Sequence, residues 1–292
     1  MHIILGADGH VGSATAQALL DRDEPVTAVL HSDRKAAEWQ QRGAQVAVAD
    51  VHDVDALRRI FRQGRRLFLL NPPADPATDA ATEERKTVAA IVAALADSGL
   101  EKIVAESTYG AQPGDQLGDL GVLYELEQAL AAQSIPASII RGAYYMSNWD
   151  AALQTARQSG EVHTFYPPDF KLPMVAPQDL GQAAARLLLE PATQTGLHYV
   201  EGPARYSPAD VAAAFAAALH RPVVAVETPR AQWPEALHKM GFSDKAAESF
   251  AAMTALTLGA DFPPLSAVEQ GPTTLPQYVR ELVQQQPPEA GH

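Results

Sequence analysis

Three glycines near the N-terminus have the spacing of a phosphate-binding loop. Gly6, Gly9 and Gly12 follow an apolar run in "HIILGADGHVG", and a helix-like stretch comes next. In a strand–turn–helix unit these glycines permit a tight turn, close approach to phosphate, and close packing of helix on strand. Backbone N–H groups at the helix start, where His10 and Val11 stand, then face the anion. We expect dinucleotide binding; a tight turn that only needs small residues is the alternative.

Asp8 places a carboxylate inside this loop, where an anion should bind. The carboxylate either accepts hydrogen bonds from N–H groups at the helix start, as a cap, or faces the pyrophosphate and weakens its binding by repulsion. We expect capping or an outward orientation. His10 either contacts the cofactor or lies on the surface.

The end of the second predicted strand indicates which cofactor is bound. An acidic residue ~20 residues after the glycines would accept the ribose 2′-hydroxyl of NAD. The sequence there is "VLHSDRK", with His31 at the strand end and Arg34 and Lys35 after it; Asp33 is expected to cap the next helix. His31 and Arg34 suit a 2′-phosphate, so we predict NADPH, with NADH as the alternative. Arg34 could instead be an ordinary exposed helix charge.

The third predicted strand ends in "VAVADVHD". Asp50 is expected to hydrogen-bond the adenine amino group, with Val51 beside the ring. A cap on the next helix is the other role open to Asp50, but Asp53 is better placed for it.

The elements that position these residues alternate regularly through residue 142. Short, almost continuously apolar runs, typical of strands buried on both faces, alternate with amphipathic helical stretches. This pattern predicts an α/β fold with a doubly wound parallel sheet. We expect a dinucleotide-binding domain over residues 1–142. Residues 143–292 are expected to form a smaller, mostly helical substrate domain, in which residues 172–201 return to pack on the sheet.

Charge and composition exclude several classes of function. With 22 basic and 35 acidic residues, the net charge of −13 disfavours binding to nucleic acid or anionic membranes. The chain has no cysteine for disulfides or thiolate metal sites, and His163 and His198 lack partners at ligand spacing, so we predict no metal. We expect a cytoplasmic protein with a small planar substrate and no membrane span, and leave a homodimer open.

Several segments together resemble one protein family. "GADGHVG", "VAVADVHDVDAL", "LFLLNPP", "STYGA", "ELEQALAAQSIPASIIRGAYYMSN" and "QDLGQAAARLL" occur in this order between Ile3 and about Val226. They resemble the NmrA-like family of atypical short-chain dehydrogenases, whose fold is a Rossmann fold. This resemblance implies one of two functions. One is an NAD(P)H-dependent reductase, for example of quinones; the other is a redox-sensing regulator that binds the cofactor without turnover.

The resemblance also implies site residues at the ends of strands four, five and six. They are Asn71 and Pro72 beside the nicotinamide-side ribose, Ser107, Thr108 and Tyr109 beside the nicotinamide, and Tyr144, Tyr145 and Asn148 in the substrate pocket. His31 falls where relatives usually have an arginine for the 2′-phosphate, which weakens the NADPH prediction. Tyr144, Tyr145 and Trp149 could stack on a planar ring; packing between domains is the alternative.

The usual catalytic pair of short-chain dehydrogenases, Tyr-x-x-x-Lys, is missing. Tyr109 and Tyr124 are the candidate acids, but Pro113 and Gln128 stand where the lysine would be. Tyr124 should face either the cleft or water, while Glu125 and Glu127 are expected on a solvated helix face. Without a strong acid, a quinone or similar conjugated acceptor is favoured over a ketone or an alcohol. The same absence supports the non-catalytic sensor.

Overall fold

The computed structural model describes residues 1–114 and 116–286, without the side chain of Leu265. The strands are β1 (His2–Leu5), β2 (Val26–Leu30), β3 (Gln45–Val48), β4 (Arg66–Leu69), β5 (Lys102–Thr108), β6 (Ala137–Gly142), β7 (Tyr144–Tyr145), β8 (Glu161–Thr164), β9 (Leu172–Val175), β10 (Gly196–Glu201), β11 (Arg205–Tyr206), β12 (Val224–Glu227) and β13 (Glu269–Gln270). The helices are α1 (His10–Leu20), α2 (Ala36–Gln41), α3 (Val54–Phe61), α4 (Ala80–Leu95), α5 (Asp119–Ala131), α6 (Ala152–Gln158), α7 (Pro177–Leu189), α8 (Pro208–Leu219), α9 (Trp233–Lys239), α10 (Asp244–Leu258) and α11 (Leu275–Gln285).

The main sheet has eight parallel strands in the order β3-β2-β1-β4-β5-β6-β10-β13. Strands β1 to β3 extend toward one edge of the sheet and β4 to β6 toward the other, so the strand order reverses between β1 and β4. This makes the sheet doubly wound and places a crevice at the carboxyl ends of these two strands. Every residue of β1 and β2 is buried, as their continuous apolar sequences predict. The predicted α/β fold class is therefore confirmed.

Helices cover both faces of the sheet and form two cores. On one face α1, α2 and α7 bury Val11, Leu19, Trp39 and Leu180, and on the other α3, α4 and α5 bury residues such as Leu57. The stripes of apolar residues at helical spacing account for this arrangement.

Helices α1 and α7 cross closely. A Cβ on Gly181 of α7 would lie 2.5 Å from the carbonyl carbon of Ala14 in α1. The glycine therefore allows the two helix backbones to approach each other. This contact anchors α7, from the second half of the chain, directly on the helix that follows the glycine loop.

The chain after residue 143 builds a third core and also returns to the main sheet. Its core contains Met146, Trp149 and Phe215, together with residues of α11. Two small sheets, β11-β9-β7 and β12-β8, border it. Strand β10 pairs with β6, and β13 pairs with β10. The division at residues 142 and 143 stays a prediction, and residues 287–292 lie outside the described part.

None of the described helices combines the length and the apolar character that a bilayer span requires. Across residues 1–114 and 116–286, no group of histidine, aspartate and glutamate side chains is arranged to hold a metal ion.

Candidate functional site

The glycine loop joins β1 to α1 and forms an open cradle. Gly6 has a φ of +74°, a conformation that favours glycine, and the Gly9 N–H donates to the Gly6 carbonyl at 3.0 Å. A Cβ on Gly12 would lie 2.1 Å from the Gly6 oxygen, so the third glycine lets α1 pack against the loop. A Cβ on Gly9 would meet that oxygen at 3.4 Å, which leaves the space in front of the helix open.

The first turn of α1 has no side-chain cap. Gly9 is the N-cap residue and has no side chain, and the turn contains no acidic residue. The first N–H groups of a helix have no partner within the helix, and together with the helix dipole they attract an anion. The loop therefore fits a pyrophosphate.

Asp8 does not cap α1. Its Oδ2 accepts the backbone N–H of His31 at 3.1 Å, and the Lys35 Nζ donates to the Asp8 carbonyl at 2.9 Å. The capping alternative is therefore wrong: the carboxylate is directed away from the start of α1, toward the residue that follows β2. Asp33 likewise begins only a short 3₁₀ turn, over Asp33–Lys35, without a side-chain cap.

A cavity of about 390 Å³ lies against the glycine loop. Its lining residues are Gly6, Asp8, Gly9, Ser32, Arg34, Lys35, Leu70, Pro72 and Pro73. The cavity brings together the first two glycines, Arg34 and Pro72, as the sequence predicts. Ser32 and Lys35 were missed as site residues, although Lys35 directly follows Arg34. The His31 side chain is exposed and is not among the lining residues, so its position does not support the predicted phosphate contact.

The residues that follow β3 differ in exposure and in hydrogen bonding. Asp50 is exposed, and its Oδ1 accepts the His52 N–H at 2.9 Å, while Asp53 caps α3 through the Ala56 N–H at 2.9 Å. Asp50 is thus not the cap and its adenine contact stays a prediction. Val51 is half-buried and packs against the core beside α3.

His10 and Val11 point in different directions. The exposed His10 imidazole lies 3.9 Å from Asp150, whose other oxygen accepts the Tyr278 hydroxyl at 2.8 Å. Val11 is buried in the core, so it can reach a cofactor only through its backbone.

Asn71 stands at the end of β4 with an unsatisfied side chain. It is 9% exposed, and its Oδ1 is buried without a hydrogen-bond partner among the described residues. Because a buried polar atom without a partner costs free energy, a bound ligand that donates to Oδ1 would be stabilised there. This observation, like the glycine cradle, fits a dinucleotide crossing the carboxyl edge of the sheet.

The residues at the end of β5 are engaged with protein groups. The buried Ser107 donates its hydroxyl proton to Glu127 Oε1 at 2.5 Å, and its position beside a nicotinamide stays a prediction. Thr108 is half-buried, and its hydroxyl lies 3.3 Å from the carbonyl of Tyr109.

Glu127 is not on a solvated face, which corrects the sequence prediction. It is buried and forms a bidentate pair with Arg141 of β6, at 2.9 Å from Nε and 2.7 Å from Nη2. Its hydrogen bonds raise the pKa of Arg141 further above its ordinary value. Glu127 lies three residues before Leu130 and so shares its buried face, and the ion pair offsets the cost of burying the charge. Glu125, by contrast, is exposed as predicted.

Tyr109 is poorly placed to act as an acid. Its hydroxyl donates to Glu201 Oε1 at 3.1 Å, and Glu201, itself fully buried, pairs with Arg205 at 3.0 Å. Burial and then the Glu201 charge raise the pKa of Tyr109 well above its usual range. The phenol proton is thus held toward Glu201. Tyr124 is half-buried on α5, consistent with its predicted position off the apolar stripe.

Tyr145 forms a hydrogen-bonded pair with a buried glutamate, which sequence reasoning missed. Its hydroxyl donates to Glu106 Oε1 at 2.9 Å, and burial raises the pKa of Glu106 to about 8. The pair fits because Gly142 has no side chain: a Cβ there would lie 2.6 Å from Glu106 Oε1. A glutamate within the apolar run "KIVAES" was the available signal.

The predicted aromatic cluster is largely core. Trp149 is 5% exposed, and the ring of Tyr144 lies 6.0 Å from those of both Trp149 and Tyr166. Trp149 therefore packs inside the core formed by the chain after residue 143, and packing between domains stays a prediction. Asn148 is exposed, and Tyr144 and Tyr145 are partly accessible.

Comparison with known proteins supports the fold and the family. The chain is 26% identical over 258 residues, 88% of this chain and 87% of that protein, to an NAD(P)H azoreductase of Xenophilus azovorans. Its structure is similar to that of the Citrobacter sp. triphenylmethane reductase complexed with NADP(H), with a TM-score of 0.80, 20% identity, and coverage of 97% and 100% of the two chains. It is also similar to an NADPH-dependent quinone oxidoreductase of Escherichia coli complexed with NADPH, with a TM-score of 0.75, 23% identity and coverage of 97% and 99%.

The two structural likenesses, both below 25% identity, support the fold alone. The family rests on a match between residues 2–270 and the model of the NmrA-like family. That match covers most of the chain and includes every element from β1 to β13, and the chain accordingly belongs to the NmrA-like family.

Proposed function

We propose that this protein is an NAD(P)H-dependent reductase of a quinone or a similar planar, conjugated acceptor. The observation that carries the proposal is the open glycine cradle beside a cavity lined by Arg34 and Lys35. Three similar proteins, by their names, reduce azo compounds, triphenylmethane dyes and quinones, all of which are planar or conjugated. NADPH is the proposed cofactor, with NADH as the alternative.

Each part of the site has a binding role in this proposal. The N–H groups at the start of α1 would hold the pyrophosphate, and Arg34 and Lys35 would attract a 2′-phosphate. Asn71 would accept a hydrogen bond through its Oδ1, which has no partner among the described residues. When bound, a reduced nicotinamide supplies a hydride. Correct positioning of the acceptor would then provide most of the rate enhancement.

The hydrogen bonds of two tyrosines support the proposed class of acceptor. Tyr109 directs its proton to Glu201, and Tyr145 directs its proton to Glu106, so neither phenol is free to protonate a poorly activated carbonyl. A quinone accepts hydride readily, and water or a weak acid can protonate the product. A ketone that depends on a strong acid is disfavoured. A cytoplasmic location and a homodimer remain predictions.

Calorimetry with NADPH and NADH, followed by oxidation assays with quinones and azo dyes, tests the proposal. Gly9→Val should abolish cofactor binding while keeping the thermal unfolding midpoint, because Gly9 has extended backbone angles and space for a side chain. Gly9→Ala, the matched control, should weaken binding less. If the cofactor is oxidised no faster with the protein than without it, for every quinone and azo dye, reductase activity is contradicted.

A non-catalytic cofactor sensor is the second candidate, favoured by the same engagement of the Tyr109 hydroxyl. It predicts binding without turnover and different affinities for the oxidised and reduced cofactor. Equal affinities for the two forms would contradict it.

A further inference from the structure

The fold brings the carboxylate of Asp8 to the end of β2, where the strand itself is not followed by an acidic residue. The residue following β2 is His31, and an acidic residue at this end of the strand is what accepts the ribose 2′-hydroxyl of NAD in many Rossmann folds. Asp8, 23 positions earlier in the glycine loop, brings its Oδ2 to 3.1 Å from the His31 backbone N–H. The glycine loop therefore supplies the charge that β2 lacks.

This carboxylate is held in place and still has capacity to bind. The His31 N–H occupies one oxygen, and the Lys35 Nζ fixes the adjoining backbone through the Asp8 carbonyl at 2.9 Å. A carboxylate offers about four acceptor positions. Asp8 is half-buried and lines the cavity beside Gly6 and Gly9, so its remaining positions can face a ligand there.

Two cations line the same cavity. Arg34 and Lys35 lie in the short turn over Asp33–Lys35, and Lys35 bonds a neutral carbonyl rather than a carboxylate. Their charges favour a phosphate, whereas the Asp8 charge opposes it. Both signs of charge are therefore present where the two nicotinamide cofactors differ, by a hydroxyl in NADH and a phosphate in NADPH.

We propose that Asp8 determines the cofactor preference of this site. Its carboxylate accepts a hydrogen bond from the ribose 2′-hydroxyl of NADH and repels the 2′-phosphate of NADPH. Arg34 and Lys35 attract the same 2′-phosphate. The protein therefore uses both cofactors. This inference rests on the proposed function, since it requires the cavity to bind a nicotinamide cofactor.

Binding measured by calorimetry with NADP⁺ and NAD⁺ tests this role without turnover. Asp8→Asn keeps an oxygen that can accept the His31 N–H but removes the charge. We expect the ratio of NADP⁺ to NAD⁺ affinity to rise about tenfold, or about 1.4 kcal/mol, within the range for two charges close together near a protein surface. Adenosine 2′,5′-bisphosphate and adenosine 5′-monophosphate should show the same change, because they carry the distinguishing group.

Asp33→Asn is the matched control. Asp33 is an exposed carboxylate beside Arg34 that does not line the cavity, so its loss should change the ratio less than about twofold. Asp8→Ser, which also removes the charge, provides a second variant if Asp8→Asn does not fold.

The outcomes separate the inference from the proposed function. An unchanged ratio in both Asp8 variants, or a wild-type preference for NADP⁺ of more than about a thousandfold (~4 kcal/mol), would overturn the role of Asp8 while leaving cofactor binding intact. Failure of the wild-type protein to bind any of the four nucleotides would overturn the proposed function itself.

Discussion

Replacing Glu106 with glutamine tests how strongly the protein perturbs the buried carboxyl group of β5. Glu106 is 1% exposed, and it accepts the Tyr145 hydroxyl at 2.9 Å. Its Oε2 has no partner among the described residues. Burial raises the pKa of Glu106 from 4.5 to about 8, because removing the charged form from water is costly. Glutamine has nearly the same shape and can accept the same hydrogen bond but cannot ionise.

The sign of the effect follows from proton binding. Between pH 4.5 and about 8 the native protein holds the Glu106 proton, whereas the unfolded chain has lost it. Rising pH therefore favours unfolding, and the loss of stability is complete once pH passes the folded pKa. Each pH unit corresponds to about 1.36 kcal/mol, so the whole interval amounts to about 5 kcal/mol. Glu106→Gln removes this dependence, and its stability relative to wild type should rise by up to that amount.

Urea unfolding followed by tryptophan fluorescence at pH 5, 6, 7, 8 and 9 measures this difference. At pH 5 the free energies of unfolding should differ by about 1 kcal/mol or less, and the gap should widen steadily to pH 8. The pKa of Glu84 is also raised to about 8. Because Glu84 is present in both proteins, its contribution to the pH dependence cancels in the difference between them. Glu125→Gln, a change at an exposed ion pair with Arg85, should give a nearly constant offset of ~0–1 kcal/mol. A gap between wild type and Glu106→Gln that does not vary with pH would refute the reasoning.

Three further substitutions test the packing and the site. Gly181→Ala should lower the free energy of unfolding by about 1–3 kcal/mol, since its Cβ would lie 2.5 Å from the Ala14 carbonyl carbon; an unchanged urea midpoint would contradict the close helix crossing. Asn71→Ala should leave the stability without cofactor unchanged or higher, yet weaken NADP⁺ binding about tenfold in calorimetry; full affinity would remove Asn71 from the site. Tyr109→Phe should keep turnover of a quinone within about twofold, because the phenol donates to Glu201; a loss of about 100-fold or more would identify Tyr109 as the acid.

The fold and the glycine loop could be predicted because they depend on local patterns. Continuous apolar runs such as "VTAVL" specify strands buried on both faces, and apolar residues at helical spacing specify the covering helices. Prediction failed where an element is short or forms only by pairing with a strand that is distant in the sequence. Strand β13 has two residues and forms by pairing with β10, and the helix predicted from Asp33 divides into a 3₁₀ turn and the six residues of α2.

The sequence by itself determined the α/β architecture, the family and the glycine loop, because backbone geometry and hydrophobic periodicity are properties of neighbouring residues. Only the tertiary structure decided what the charged side chains do. Glu127 is as polar as Glu125 in the sequence, yet it is buried because Arg141 stands opposite on β6. Asp8 is directed toward the end of β2 because the His31 N–H there donates to its carboxylate. Partners far apart in the chain set the free energy of each charge through burial and hydrogen bonding, and no local pattern encodes which partners the fold brings together.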